Sequence, residues 1–237
     1  MSEVTLLAYT QLTDEAFDVL DVGDPERIPH DKWLVHEADH LAELAGRECY
    51  QSFHRPNPAT EANVDYLAHI QEVQHFSVLA HASFTFRFTD VSRSLTHELI
   101  RHRFLAFSEL SQRYVNMDDS YTVVPPLWQH THYESQKIAE HHAASVKLYH
   151  ELVERATGQG IPRKQARQAA RSVLPGGTET KIVVSGNVRA WRDFIFQRNT
   201  PGADAEIHEV AGKVLHIIAQ YAPNSVADLI DAEVQDA

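Results

Sequence analysis

Apolar positions along the chain recur with two periods. Residues 3–9 (EVTLLAY) read as a short strand. The stretch 32–48 carries Leu34, Leu41, Leu44 and Ala45 at helical spacing, and 62–75 carries Val64, Leu67, Ile70 and Val73 three residues apart, so each predicts a helix with one apolar stripe. Asn57-Pro58 and the small polar residues around it predict a loop between the two. In 82–89 (ASFTFRFT), Phe84, Phe86 and Phe88 alternate with smaller or polar neighbours, the period of a half-buried strand. Ser92 or Ser94 is placed to cap a helix that runs through Leu95, Leu99 and Ile100 toward Arg101.

After Pro125-Pro126 a long helix is predicted over about 133–156, with Ala139, Ala143, Val146, Leu148 and Leu152 on its inner side. Pro162 suits the first turn of a further helix, which Leu174-Pro175-Gly176-Gly177 ends. Residues 178–185, with Ile182, Val183 and Val184, predict a strand. Helices over about 188–198 and 203–221 are separated by Thr200-Pro201-Gly202. Only the acidic stretch 10–31 shows no clear period. No internal repeat, low-complexity tract or linker interrupts the pattern. The expectation is one α+β domain over 1–237, a small antiparallel sheet with several long helices.

Composition narrows the function by exclusion. The 237 residues suffice for one sizeable core or two small ones, and 43% hydrophobic with 23% charged residues is ordinary for a globular chain. No apolar run approaches the roughly 20 residues that span a bilayer, and the acidic N-terminus lacks the pattern of a signal peptide. The single Cys49 has no internal partner for a disulfide, which fits a cytoplasmic protein. A formal net charge of −12 argues against a general nucleic-acid binder. Arginines nevertheless cluster at 101–113, 163–171 and 189–198, a distribution suited to a small anionic ligand, although any one cluster also fits a solvated helix face. Arg163, Arg167 and Arg171 fall at i, i+4, i+8 on one predicted helix face.

The densest chemistry lies in 97–114. Arg101 and Arg103 are two positions apart, so on a regular helix they would point about 200° from each other. If both grip one ligand, either the backbone leaves the helix there or the ligand wraps around its end. After the apolar Phe104, Leu105 and Phe107 comes Ser108-Glu109-Leu110-Ser111-Gln112-Arg113, a mixture able to bind a phosphate and a polar ring together. Spacing alone fits equally a basic helix end followed by a polar turn. The run His97-Glu98-Leu99-Ile100-Arg101-His102 looks like a zincin HExxH, but its second histidine comes one residue late. The two rings would diverge by about 140° on a helix, so no metal site is expected.

The pattern Arg101-His102-Arg103, seven residues, then Ser111 resembles the signature of the flavin-dependent thymidylate synthases, and the match runs on through Tyr114. Residues 45–53 (AGRECYQSF), 74–86 (QHFSVLAHASFTF), 164–175 (KQARQAARSVLP) and 178–194 (TETKIVVSGNVRAWRDF), with Arg198, are similar to further blocks of that family, so the resemblance covers about 45–210. It implies that family's α+β fold and reductive methylation of deoxyuridine monophosphate (dUMP) to dTMP in a cytoplasmic homotetramer with shared sites. Methylenetetrahydrofolate would supply the carbon, and FAD reduced by NADPH the hydride.

Carried over by position, the resemblance places Glu98, Arg101, Glu109, Leu110, Ser111, Gln112, Arg113 and Arg171 at the nucleotide. Arg198 would hold the uracil ring and favour ionisation at N3, the catalytic role. His75, Ser77, Arg101, His102, Arg103, Glu109, Asn187, Val188, Arg189 and Asp193 would line the flavin. A guanidinium is no base near neutral pH, so the work open to Arg198 is electrostatic. Ser111 has no neighbouring base to activate it and reads as a nucleotide ligand, not a nucleophile. The absence of GxGxxG means a flavin here would not sit on a Rossmann sheet. Two positions depart from the family pattern: Gly202 stands where a flavin-contacting His is usual, and Asp193 brings a carboxylate to the flavin. Both predict retained but weaker flavin binding. A non-enzymatic nucleotide- or RNA-binding descendant is the alternative reading.

Overall fold

The computed structural model describes residues 2–16, 36–52 and 57–236. Leu34 and most of the unpatterned stretch 10–31 lie outside the described residues. The elements are β1 (Glu3–Tyr9), α1 (Glu37–Tyr50), α2 (Asn63–Glu72), β2 (Ser83–Ser92), α3 (Arg93–Leu99), β3 (Ala106–Glu109), α4 (His132–Gly158), α5 (Arg163–Ala170), β4 (Glu179–Asn187), α6 (Val188–Arg198), α7 (Ala205–Tyr221) and α8 (Ala227–Asp236).

Among the described residues four strands form one antiparallel sheet in the order β1-β2-β4-β3. Alternation decides its faces: Phe84, Phe86 and Phe88 are fully buried, and Thr85 and Arg87 between them lie on the opposite face. Ile182 and Val184 of β4 extend the buried face, which packs under Trp191, Phe194 and Ile195 of α6 and Ile207, Val210, Val214 and Ile218 of α7. The Trp191 ring meets Phe86 edge-on at 5.0 Å, and its Nε1–H donates to the carbonyl of Phe84 at 3.1 Å, so its one polar atom is satisfied inside the core. Asp90, at φ 56°, sits where the β2–β4 register shifts between Phe88 and Val91.

A smaller core joins α4 to α5: Tyr149 and Val153 pack with Ala166 and Ala170 and with Met117 from the loop after the arginine motif.

The single α+β arrangement agrees with the sequence pattern, with three differences of detail. In α2 only Leu67 and Ile70 of the expected stripe are buried, while Val64 and Val73 are exposed. Steps of three residues fall about 60° short of a full turn each time, so the ends of such a stripe rotate away from the core. In α4 the buried side is His142, Ser145, Tyr149 and Val153, whereas Leu148 and Leu152 of the expected face are exposed. The inner side follows α4's polar contacts as much as its apolar ones, since His142 Nε2 bonds the Ser120 carbonyl at 3.0 Å. Lastly, β3 and α8 were not expected; β3 is four residues long and falls in a stretch whose polar side chains hide its period.

Candidate functional site

The site grows from the entry to α3. Ser92 caps this helix, its Oγ accepting from the Leu95 amide at 3.0 Å. Its own N–H and O–H donate to the buried carboxylate of Glu206 on α7 at 2.7 and 2.6 Å. Burial pushes Glu206 toward its protonated form, against these two donors. The first turn of α3 is thereby tied to α7.

At its other end α3 stops at Leu99, and the chain turns through the triplet. This satisfies the 200° argument for Arg101 and Arg103, both of which are exposed. His102, between them, is buried and meets Phe194 edge-on at 5.1 Å. The end of α3 between His97 and His102 also removes any HExxH geometry. Among the described residues no cluster of three His, Cys, Asp or Glu is arranged to hold a metal ion.

Arg198, the last residue of α6, joins this turn. Its Nη1 donates to Glu98 Oε2 at 2.8 Å and its Nε to His102 Nε2 at 3.2 Å. Because Nε2 accepts, the ring hydrogen belongs on Nδ1, the atom 3.7 Å from Asp193 Oδ2. Burial, and then the Arg198 charge, hold the His102 imidazole below its ordinary pKa, against the pull of Asp193. Glu98, Arg198, His102 and Asp193 thus form one connected network with a neutral imidazole at its centre.

Glu109 belongs to a second group. It accepts from Thr96 Oγ1 at 2.9 Å and pairs with Arg93 at 3.1 Å. Leu110 follows it along the sheet edge, its N–H donating to the Lys181 carbonyl at 2.9 Å. Thr96 and Glu98 are two residues apart on α3, so they point about 200° from each other and the two groups lie on different sides of that helix.

The third group is the turn after β3. The amides of Tyr114 and Val115 both donate to the Ser111 carbonyl, at 3.0 and 2.9 Å. Gln112 is buried, and Arg113 is half-buried with an Nε that has no hydrogen-bond partner among the described residues. Arg171 is exposed in the short turn Arg171–Val173 that continues α5. Arg163 and Arg167 share α5, with Arg171 at its C-cap.

Five flavin candidates lie near the start of α6. Asn187 caps α6 through its side-chain oxygen, which accepts from Ala190 N at 2.9 Å and leaves its side-chain NH2 free to donate to a ligand. Val188 is buried and donates its N–H to Ala82 O at 2.9 Å; Arg189 is exposed. His75 and Ser77 are exposed on the turn Phe76–Ala80 that leads to Ala82, and Arg192 of α6 covers the Phe76 ring at 4.9 Å. At Gly202 a side chain would meet nothing within 4 Å.

The sequence reading missed Arg93 and Thr96, which hold Glu109, and Phe194, which seats His102. Their only sequence signal is proximity to the motif residues. A cleft of 580 Å³ lies between the starts of α3 and α7, Pro125–Trp128 and α4. Of the expected site residues only Glu98 lines it. Arg101, Arg103 and Arg171 stand on exposed turns outside this cleft. Among the described residues no helix is long and apolar enough to cross a membrane.

An α+β chain with an Arg-His-Arg turn seated on a second helix's arginine defines a class. The sequence profile of the family described as thymidylate synthase complementing protein matches residues 32–224, and the chain belongs to that family. A probable flavin-dependent thymidylate synthase of Mycobacterium phage L5 is 49% identical over 200 residues, 82% of each chain. The flavin-dependent thymidylate synthase of Mycobacterium avium is 49% identical over 203 residues, 83% of this chain and 81% of its own. The enzyme of the same name from Mycobacterium tuberculosis H37Ra is 49% identical over 195 residues, 79% of this chain and 78% of its own.

Proposed function

We propose that this protein converts dUMP to dTMP, with methylenetetrahydrofolate as carbon donor and FAD, reduced by NADPH, as hydride carrier. The observation that carries the reading is the Glu98–Arg198–His102 network at the arginine turn. Arg198 is held from two sides by groups remote in sequence, so its charge is preorganised. Aimed at a uracil ring, it stabilises the negative charge that develops when N3 ionises. Arg101, Ser111, Gln112, Arg113 and Arg171 bind the nucleotide, with Glu98, Glu109 and Leu110 shaping its surroundings.

The residues suit a flavin dinucleotide. Arg101, Arg103 and Arg189 are exposed cations without an ion pair among the described residues, Ser77 and the Asn187 amide offer donors, and His102 is neutral. Val188 packs in the main core and ties the start of α6 to Ala82, and His75 is exposed at the head of the turn Phe76–Ala80. Asp193 is the one poor fit, although its carboxylate lies 3.7 Å from the Nδ1 of His102. The flavin, when bound, supplies the hydride; the protein binds, orients and stabilises charge.

The nucleotide residues fall on two sides of α3, which supports a site completed by a second copy in a homotetramer. The exposed, unpaired Cys49 suits the cytoplasm. Purified protein titrated with FAD tests the reading. A visible flavin spectrum that shifts on adding dUMP is expected. A protein that binds dUMP or RNA but takes up no flavin would be the non-enzymatic descendant.

A further inference from the structure

Arg167 deepens the nucleotide assignment. It projects from α5 and is half-buried, and its Nη1 donates to the backbone carbonyl of Tyr114 at 2.6 Å. One turn earlier on the same helix, Lys164 places its ammonium 4.4 Å from the centre of the Tyr114 ring. Residues 164 and 167 are i, i+3 neighbours, so α5 grips Tyr114 twice, by its backbone and by its ring. Tyr114 closes the turn that begins at Ser111, because its amide returns to the Ser111 carbonyl. Ser111, Gln112 and Arg113 are therefore strung between the edge of the sheet and a clamp on α5. Arg171 stands one turn beyond Arg167 on the same side of that helix.

The clamp rests on a firm base. Ala166 and Ala170 bury the adjoining side of α5 against Tyr149 and Val153, and their small size lets α5 lie close to α4. Near neutral pH a guanidinium hydrogen-bonded to a carbonyl holds a backbone more firmly than a neutral donor. Two cations spent on Tyr114 do not contact a ligand directly, yet they set where the Arg113 side chain and the Ser111 hydroxyl stand relative to Arg171.

We propose that Arg167, assisted by Lys164, is a positioning residue of the nucleotide site: it fixes the Ser111–Tyr114 turn against α5 so that Ser111, Arg113 and Arg171 converge on one nucleotide anion. The inference rests on the functional reading above. The test is calorimetric titration of dUMP into full-length wild type, Arg167→Ala, Arg167→Lys and Lys164→Ala, with steady-state kinetics, flavin spectra and melting temperatures for each. Arg167→Ala is expected to weaken dUMP binding and raise its KM about 10-fold, the worth of one charge-assisted bond. Its kcat should stay within about 3-fold and its flavin spectrum should not change. Arg167→Lys should recover most of the affinity, and the solvent-facing Lys164→Ala, which leaves the core untouched, should lose about 3-fold.

Wild-type affinity in Arg167→Ala would overturn the inference alone. So would equal losses of flavin and dUMP binding, which mark a general structural role. If Arg167→Ala does not fold, Lys164→Ala and Arg167→Lys decide: dUMP affinities equal to wild type in both overturn the clamp. Wild-type protein that binds no dUMP overturns the functional reading, and the inference with it.

Discussion

Arg198 is held by two partners of different kinds, a carboxylate and a neutral imidazole, and each makes a testable demand. If its work is to meet charge developing on the uracil, Arg198→Ala should lower turnover about 100-fold or more, the scale of losing one preorganised donor. Its melting temperature should shift little, since Glu98 is partly solvated and can rehydrate. A fall in stability matching the loss of rate would make Arg198 structural. His102 adds a pH dependence. Its folded pKa lies below the ordinary 6.5, so on acidification the unfolded chain takes up a proton first. Stability is complete above about pH 6.5 and falls as pH drops toward the lowered value. Protonation of the folded enzyme, which follows that lowered value, also removes the lone pair that accepts from Arg198, so turnover should fall there, and a pH profile of His102→Asn should lack that limb. Asp193→Asn removes a half-exposed carboxylate and should tighten flavin binding about 2–5-fold, read from a flavin titration; weaker binding would show that Asp193 helps hold the cofactor. The motif singles out Arg101, His102 and Ser111 as candidates in the sequence. The partners of Arg198 were not legible there, because Glu98 and His102 lie 100 and 96 residues away and only the fold brings them together.

At the scale of elements, local rules read well wherever a local rule decides. The alternation of Phe84, Phe86 and Phe88 marks the buried face of β2, and Ser92 caps α3 as its position suggests. What the cap also does, hold the buried Glu206, depends on a helix more than a hundred residues on. Ser92→Ala should therefore cost more than an ordinary cap. It loses the bond to Leu95 and strips Glu206 of its hydroxyl donor, about 2–4 kcal/mol together by denaturant unfolding. A loss below about 1 kcal/mol would mean that Glu206 is satisfied by water. The inner side of α4 was misread for a related reason. A helix that packs on one neighbour and a loop takes its face from His142, Ser145 and Tyr149, which hydropathy ranks below leucine.

At the scale of the molecule, the single α+β domain follows from the period of its parts, whereas the proposed site residues fall into separate groups along the chain. Glu109 and the Ser111 turn stand away from Arg198 across α3, and Phe104, Phe196, Leu148 and Leu152 expose apolar surface. A tetramer sharing sites would account for both, and light scattering on the purified protein should give about four chains per particle. The central claim concerns chemistry, and release of the proton from carbon five of the dUMP ring reports it directly. With FAD, NADPH and methylenetetrahydrofolate present, purified protein should release that proton in step with dTMP formation, and omission of FAD should abolish both. No release from a protein that folds and binds dUMP would contradict the account.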